Sequence, residues 1–211
     1  APPATPREDD MKTRNLMAGA AVLLSTLTVA AVQDATWKVD NAHSGVTFSV
    51  RHFFTPVKGQ FDRFDAQLTY DPAAPENSSV RVTIPVASIN TSNERRDAHL
   101  ASPDFFEAEK YPNITFVSER VTKVSETELL VRGALTIKDQ ARQVDLPVTV
   151  LGIADLAPEM QQMFGGIKQV ASFEAKLTLD RRDFGVGVGN WAATAVVGKD
   201  VEITIAVEAN R

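Results

Sequence analysis

Three histidines carry the side chains in this sequence that are best suited to proton transfer or metal binding near neutral pH. His43, His52 and His99 are separated by 9 and 47 residues, which matches neither a His-x-x-x-His nor a His-Glu-x-x-His pattern. The 211-residue chain has no cysteine, which excludes disulfides and thiolate metal sites. His43 and Ser44 are neighbours and face opposite ways on a strand, which argues against a serine–histidine nucleophile. We expect neither a metal site nor a catalytic residue.

His52 is the histidine that the sequence places on an apolar face. It shares the parity of Val46, Phe48 and Val50, and alternate residues of a strand point to the same side. An inward imidazole could anchor the headgroup of a ligand, or it could be a hydrogen-bonded histidine of the core. The sequence leaves both roles open.

His99 lies with Arg96 and Asp97 on a short helix that we predict over residues 93–100. This group either lines the mouth of a cavity or only fastens a connection to the body of the protein. Further along the chain, we expect Arg182 and Asp183 to form a structural ion pair before a glycine turn.

Phenylalanine dominates the aromatic residues, with eleven copies against two tyrosines and two tryptophans. Rings without a polar group suit the apolar lining of a lipid-binding cavity, although packing in a core is the alternative for any single ring. The candidate ligand-binding residues are therefore the polar His52, Arg96 and His99 and the aromatic Phe48, Phe61, Phe105, Phe106, Phe116 and Phe173.

Alternation of apolar and polar residues predicts the elements that position these side chains. Eight segments show the period of two that is typical of strands: 46–50, 64–70, 80–84, 114–116, 129–137, 144–150, 173–179 and 201–207. Short helices are predicted over 93–100 and 158–164, and Ser102-Pro103 has the pattern of a further helix start. Closure into a barrel would remove every sheet edge, but a two-sheet sandwich fits the alternation equally well.

The first part of the chain has the features of a targeting signal. Residues 11–31 begin with methionine, carry the cations Lys12 and Arg14, continue as an apolar run and end in small residues, which predicts a cleaved secretory signal peptide. The alternative is a membrane anchor, but the run is short, is interrupted by polar residues and lacks a basic stop-transfer cluster. Residues 1–10 are expected to be an upstream extension without function. The folded domain is then 32–211, in the periplasm or secreted.

The charge balance excludes one class of partner. Lysine and arginine number 22 against 27 aspartates and glutamates, for a net charge of −5. Nucleic-acid binding needs a positive surface, so we expect no nucleic-acid partner. The same acidity disfavours strongly anionic membrane surfaces.

Several blocks of sequence between Trp37 and Glu208 form a distinctive set. They are Asp40-Asn41-Ala42-His43-Ser44 with the later pair Arg51-His52, Gly59-Gln60-Phe61, Arg96-Asp97-Ala98-His99-Leu100 with Asp104-Phe105-Phe106, Tyr111-Pro112-Asn113-Ile114-Thr115-Phe116, Gly133-Ala134-Leu135-Thr136-Ile137-Lys138, and Arg182-Asp183-Phe184-Gly185. Together they resemble the YceI-like family. Two departures are Asp139, where a glycine is usual, and the methionine-rich segment 154–168.

The resemblance implies an all-β fold, an eight-stranded antiparallel lipocalin-like barrel with one or two short helices and a long internal cavity. It also implies a periplasmic or secreted protein that binds an isoprenoid lipid, an isoprenoid quinone or a similar amphiphile, with no resident cofactor. A membrane cytochrome of the b type and a second copy of the chain are the partners that the family suggests. An enzyme acting on the lipid through His52 or His99, and a stress-related structural protein with an incidental cavity, are the alternatives.

Overall fold

The computed structural model describes residues 35–193 and 195–211. The predicted extension 1–10 and the predicted signal peptide 11–31 lie outside this part. The strands are β1 Thr36–Val39, β2 Gly45–His52, β3 Thr55–Phe61, β4 Asp65–Thr69, β5 Ser79–Pro85, β6 Ile89–Asn90, β7 Asn113–Lys123, β8 Glu128–Ile137, β9 Gln140–Asp155, β10 Gln169–Asp180 and β11 Val197–Asn210. The α-helices are α1 Glu94–Ala101 and α2 Pro158–Met163, and 3-10 helices cover Pro75–Asn77, Val86–Ser88, Arg181–Phe184 and Gly189–Trp191.

The strands close into an eight-stranded antiparallel barrel, as predicted. β1 and β2 act as one interrupted strand, since both pair with β11, and β3 and β4 act as another, since β3 pairs with β2 and β4 with β1. The order then continues from β4 through β5, β7, β8, β9 and β10 to β11. Because this ring has no free edge strand, the sandwich alternative is wrong. β6 adds a two-residue pairing to β3.

Each of the eight predicted segments lies in or overlaps a strand, and the pattern missed β1, β3 and β6. β3 escaped because Pro56 and Gly59 interrupt its alternation, and both residue types weaken a strand signal. β1 is only four residues long, yet its Trp37 is 2% exposed and donates an indole hydrogen bond of 2.9 Å to the Tyr70 carbonyl. Short strands of this kind are defined by their tertiary partners.

The predicted helices over 93–100 and 158–164 are confirmed as α1 and α2. Asn93 caps α1 by accepting a hydrogen bond of 3.0 Å from the Arg96 amide. The helix start predicted at Ser102 is wrong, because that hydroxyl donates to the His99 carbonyl at 2.7 Å and ends α1. Among the described residues, neither α-helix is long and apolar enough to cross a membrane.

Two glycines let large rings lie flat against the barrel wall. A methyl group added to Gly59 would come within 2.4 Å of the Phe48 ring, and one added to Gly133 within 2.4 Å of the Val117 carbonyl oxygen and 2.6 Å of the Phe116 ring. Both distances are far below van der Waals contact. The aromatic side chains therefore occupy space that a β-carbon would fill, and they leave the centre of the barrel open.

Replacing Gly133 with alanine should destabilise the barrel by about 1–3 kcal/mol, because neither the Val117 backbone nor the Phe116 ring can move away freely. Gly152→Ala is the matched control, since a methyl group there meets nothing within 4 Å. Urea unfolding measures both. Equal stability of the two variants would contradict the close-approach argument.

Candidate functional site

A cavity of about 530 Å³ runs inside the barrel. Its wall is almost entirely aliphatic and aromatic, with side chains from β2 to β5 and from β7 to β11. This volume lies within the range of about 300–1,000 Å³ that is usual for small-molecule sites. A cavity of this composition can remove an apolar chain from water.

All nine residues predicted for the site lie on the wall of this cavity. They are Phe48, His52, Phe61, Arg96, His99, Phe105, Phe106, Phe116 and Phe173. That they contact a ligand stays a prediction. What the structure adds is that residues spread over more than 120 positions of the chain converge on one space.

The phenylalanines divide into two groups. Phe48, Phe61 and Phe106 form a half-buried series, with ring centroids 5.7 Å and 6.4 Å apart along it. Phe105 and Phe173 are 5% and 8% exposed and belong to packed clusters at opposite ends of the barrel. Core packing therefore accounts for these last two, whereas the half-buried rings have surface that faces open space.

His52 ends β2 beside the cavity and is exposed. Its ring meets Phe53 edge to face, with centroids 4.8 Å apart, and it forms no hydrogen bond to the described part of the chain. The hydrogen-bonded core role is therefore wrong. The role as a headgroup anchor stays a prediction.

Arg96 and Asp97 hold α1 to the strand that precedes it. The Arg96 Nε donates to the Thr91 hydroxyl at 2.7 Å, and its Nη2 donates to the Thr91 carbonyl at 2.7 Å. The Asp97 carboxylate accepts from the Thr91 amide at 2.9 Å and also from its hydroxyl. Since Arg96 also lies on the cavity wall, this group both fastens α1 and lines the cavity.

His99 is held by one carboxylate and two aromatic rings. Its Nε2 lies 2.9 Å from Asp104 Oδ2, and its ring meets Phe105 and Trp191 at centroid distances of 5.1 Å and 4.9 Å. The Trp191 indole also donates to Asp104, at 3.2 Å. The hydrogen bond to His99, followed by that from Trp191, lowers the pKa of the Asp104 carboxyl. These contacts fix the imidazole beside the cavity.

Arg181 is the residue that sequence reasoning missed. Its side chain is buried, with 5% exposed, and makes five hydrogen bonds to backbone carbonyls. The acceptors are Gly198 at 2.9 Å, Val186 at 2.8 Å, Trp191 at 2.7 Å, Val197 at 3.0 Å and Gly187. Burial lowers the pKa of this guanidinium. The parity that Arg181 shares with the inward-facing Leu177 and Leu179 was the available signal.

The ion pair predicted between Arg182 and Asp183 is wrong. Arg182 instead binds Asp180, with Nη2 and Nε donating to the carboxylate at 2.6 Å and 2.9 Å. Asp180 also accepts from the Arg182 amide at 3.0 Å and so caps the 3-10 helix that carries Arg181. Because the Arg181 side chain occupies the interior, the Arg182 side chain stays at the surface, where it binds the capping residue Asp180.

One exposed cluster joins groups that the sequence spacing kept apart. His43 Nδ1 lies 2.9 Å from Asp40 and 3.7 Å from Glu208, and these three are the one set of three potential metal ligands found among the described residues. The spacing of the histidines along the sequence could not predict this set of three, because Glu208 is contributed by β11. The hydrogen bond that His43 donates to Asp40 raises the pKa of His43, and a protonated imidazole ties the β1–β2 corner to β11.

Comparison with known proteins places this geometry in a family. The model of the YceI-like domain matches residues 37–209. A UPF0312 protein of Vibrio cholerae is 32% identical over 84% of this chain and 90% of its own length. The crystal structure of Burkholderia cenocepacia BcnA has a TM-score of 0.71 at 32% identity, covering 81% of this chain and 99% of BcnA. A polyisoprenoid binding domain from Saccharophagus degradans, implicated in plant cell wall breakdown, shares the fold, with a TM-score of 0.61 at 14% identity over 84% of this chain and 99% of that one.

Arg181→Met should lower the free energy of unfolding by about 3 kcal/mol or more, because buried carbonyls lose charge-assisted hydrogen bonds. Arg182→Met removes an exposed pair and should cost less than about 1 kcal/mol. Urea unfolding followed by tryptophan fluorescence compares the two. A loss for Arg181→Met no larger than that for Arg182→Met would rule out the proposed role of the buried guanidinium.

The Asp180 cap should give stability a defined pH dependence. The hydrogen bonds from Arg182 lower the pKa of Asp180 from 3.8 to about 2. A depressed carboxyl pKa stabilises the fold above the unfolded-state value, and this contribution is lost as the pH falls through about 2. Asp180→Asn should therefore cost about 1 kcal/mol at neutral pH, and in urea titrations this cost should shrink as the pH falls through about 2. A deficit that does not change with pH would contradict this assignment.

Proposed function

Because this chain belongs to the YceI-like domain family, we propose that it binds a long apolar lipid of the isoprenoid class inside its barrel. The observation that carries the proposal is the cavity of about 530 Å³ with its aliphatic and aromatic wall. Each buried methylene contributes about 0.8 kcal/mol, so about ten of them give ~8 kcal/mol before association costs. That is enough for binding in the micromolar range.

The polar residues of the wall suit an amphiphile rather than a plain hydrocarbon. His52 pairs with Val197, and His99 packs against Trp191, so both imidazoles border the segment that Arg181 holds. Arg96 lies at the same end, on α1. The headgroup of the lipid would lie here, and its chain would extend toward the closed end at Trp37 and Tyr70. The polyisoprenoid binding named for the Saccharophagus domain agrees with this ligand class.

The proposed setting is the periplasm or the extracellular space, on the basis of the signal-like residues 11–31. There the protein would sequester or carry its lipid without covalent chemistry. A b-type cytochrome of the membrane or a second copy of the chain remain the partners to test.

An enzyme acting on the lipid through His99 is the second candidate function. The 2.9 Å contact between His99 and Asp104 favours it, since a carboxylate can orient a catalytic imidazole. However, within the described residues no hydroxyl group is hydrogen-bonded to the His99 ring, and two aromatic rings brace it. A purely structural protein would fill its interior with its own side chains, and the open cavity argues against that function.

Filling the cavity should abolish binding. Ala66 lies on the wall within β4, and its neighbour Gln67 is exposed, so Ala66→Phe is the test and Gln67→Phe the matched control. With geranylgeraniol as probe and quenching of Trp191 fluorescence as readout, Ala66→Phe should bind at least about tenfold more weakly, equal to 1.4 kcal/mol. Gln67→Phe should bind like the wild type.

Native mass spectrometry of protein purified from its own host should detect a co-purified lipid in the wild type and none in Ala66→Phe. Absence of extractable lipid from the wild type, together with no geranylgeraniol binding, would overturn the proposal. If His99→Asn abolished turnover of an isoprenoid ester without weakening geranylgeraniol binding, the enzyme would be favoured instead.

A further inference from the structure

The turn between β2 and β3 exposes two phenylalanines at the end of the barrel where the cavity is lined by His52. Phe54 is 91% exposed and Phe53 51% exposed. Large apolar side chains at a hairpin tip gain nothing from the core, so their exposure calls for an external partner. Nearby, Val188 of the loop that Arg181 holds is also exposed, at 44%.

The backbone of this turn is unfavourable for the residues it contains. Phe53 and Phe54 form a two-residue connection, since His52 pairs directly with Thr55. Phe53 has a φ of 49°, in the left-handed region where such turns normally carry glycine or asparagine. A sequence that keeps an aromatic residue in a strained turn retains it for something other than stability.

The tip is continuous with the cavity and rigidly attached. The Phe53 ring meets the ring of His52, which lines the cavity. The Phe53 amide donates to the Val196 carbonyl at 2.8 Å, and the next two carbonyls, of Val197 and Gly198, are held by Arg181. The backbone of Phe53 is therefore anchored to the segment beside this end of the cavity.

Size and charge distinguish between kinds of partner. Two phenylalanine side chains offer at most about 300–500 Å², well below the roughly 800 Å² that each partner buries in a specific protein interface of standard size. Residues 45–61 contain the exposed cations Arg51 and Lys58 and no acidic residue, in a chain whose net charge is −5. Aromatic tips followed by cations suit the interface of a bilayer, where rings enter the acyl region and cations meet phosphates.

The spacing along the hairpin fits this arrangement. Arg51 lies two residues from Phe53, and Lys58 lies four residues from Phe54. At ~3.3 Å per residue they follow the tip by ~7 and ~13 Å. Insertion of the rings by about 5–10 Å would bring both cations to the level of the lipid headgroups.

We propose that the Phe53–Phe54 tip docks the protein on a phospholipid membrane, with the mouth of the cavity at the surface from which a lipid is taken up or delivered. The role given to the docking rests on the proposed lipid-binding function, whereas the geometry of the tip does not depend on it. The membrane is the committed partner, and the net charge of −5 confines contact to the acid-free hairpin.

The test uses sedimentation with vesicles of phosphatidylcholine and phosphatidylglycerol, comparing the wild type with the double variant Phe53→Gly/Phe54→Asn. Of the two turn residues only Phe53 has a positive φ, and such a two-residue hairpin prefers glycine at its first position, so this variant should be at least as stable as the wild type in urea. Its vesicle partitioning should nevertheless fall about tenfold or more. Met163→Ser/Phe164→Ser is the matched control, since it removes exposed apolar side chains from the segment that follows β9, and it should bind like the wild type.

Geranylgeraniol binding separates this proposal from the previous one. Phe53→Gly/Phe54→Asn should keep the wild-type affinity for the probe in the absence of vesicles. A wild type that binds geranylgeraniol but not vesicles would overturn the docking alone, as would equal vesicle partitioning of the wild type and the tip variant. Tip-dependent vesicle binding by a protein that takes up no geranylgeraniol would support the docking and overturn the lipid cavity.

Discussion

The Arg181 guanidinium donates to backbone carbonyls on both sides of the loop that covers one end of the barrel, and the neighbouring elements are positioned from this loop. Trp191, whose carbonyl it holds, braces the His99 ring and donates to Asp104, which fixes the segment after α1. The Val196 carbonyl, adjacent to the Val197 carbonyl that Arg181 holds, accepts a hydrogen bond from the Phe53 amide at the hairpin tip. A buried cation is stable here because each of its N–H groups finds an oxygen, and no carboxylate is needed in the interior. These hydrogen bonds hold the described residues on both sides of the loop to one buried side chain.

An open interior needs its own structural explanation, because a barrel of eight strands is small enough for its side chains to fill it. In this protein two of the rings that line the cavity, Phe48 and Phe116, pack closely against backbone of the wall. Gly59 and Gly133 provide the room, since the Phe48 and Phe116 rings occupy the positions that β-carbons would take. Apolar area is thus buried without closing the lumen. The Gly-x-Phe and Gly-Ala-Leu blocks of the sequence serve this packing. They would affect ligand binding only by keeping the interior open.

The sequence predicts the parts of this structure that depend on local periodicity. A period of two located all eight barrel strands, and parity brought His52 and Phe48 to the cavity wall. It could not supply pairings set by distant residues, such as the contact of His43 with Glu208. Parity with Leu177 and Leu179 indicated that Arg181 points inward, but the carbonyls that accept its hydrogen bonds come from the following loop and could not be predicted. Long-range polar contacts of this kind are what a single sequence hides.

Backbone strain is concentrated at the end of the barrel that carries α1 and the Arg181 loop. Among the described residues, the non-glycine positions with positive φ are Phe53, Ser92, Glu107 and Lys138, and they flank the hairpin tip, α1 and the β8–β9 turn. Glu107 and Lys138 lie 3.6 Å apart as an ion pair, and Lys138 also donates to the Gly185 carbonyl at 3.3 Å, so these contacts join strained positions to the Arg181 loop. Each left-handed residue costs of order 1–3 kcal/mol and persists only where its surroundings fix it. The ion pair and the Lys138 hydrogen bond provide such surroundings for Glu107 and Lys138, as the amide hydrogen bond to the Val196 carbonyl does for Phe53. Polar contacts at this end of the barrel therefore hold turns that the local sequence alone would not favour.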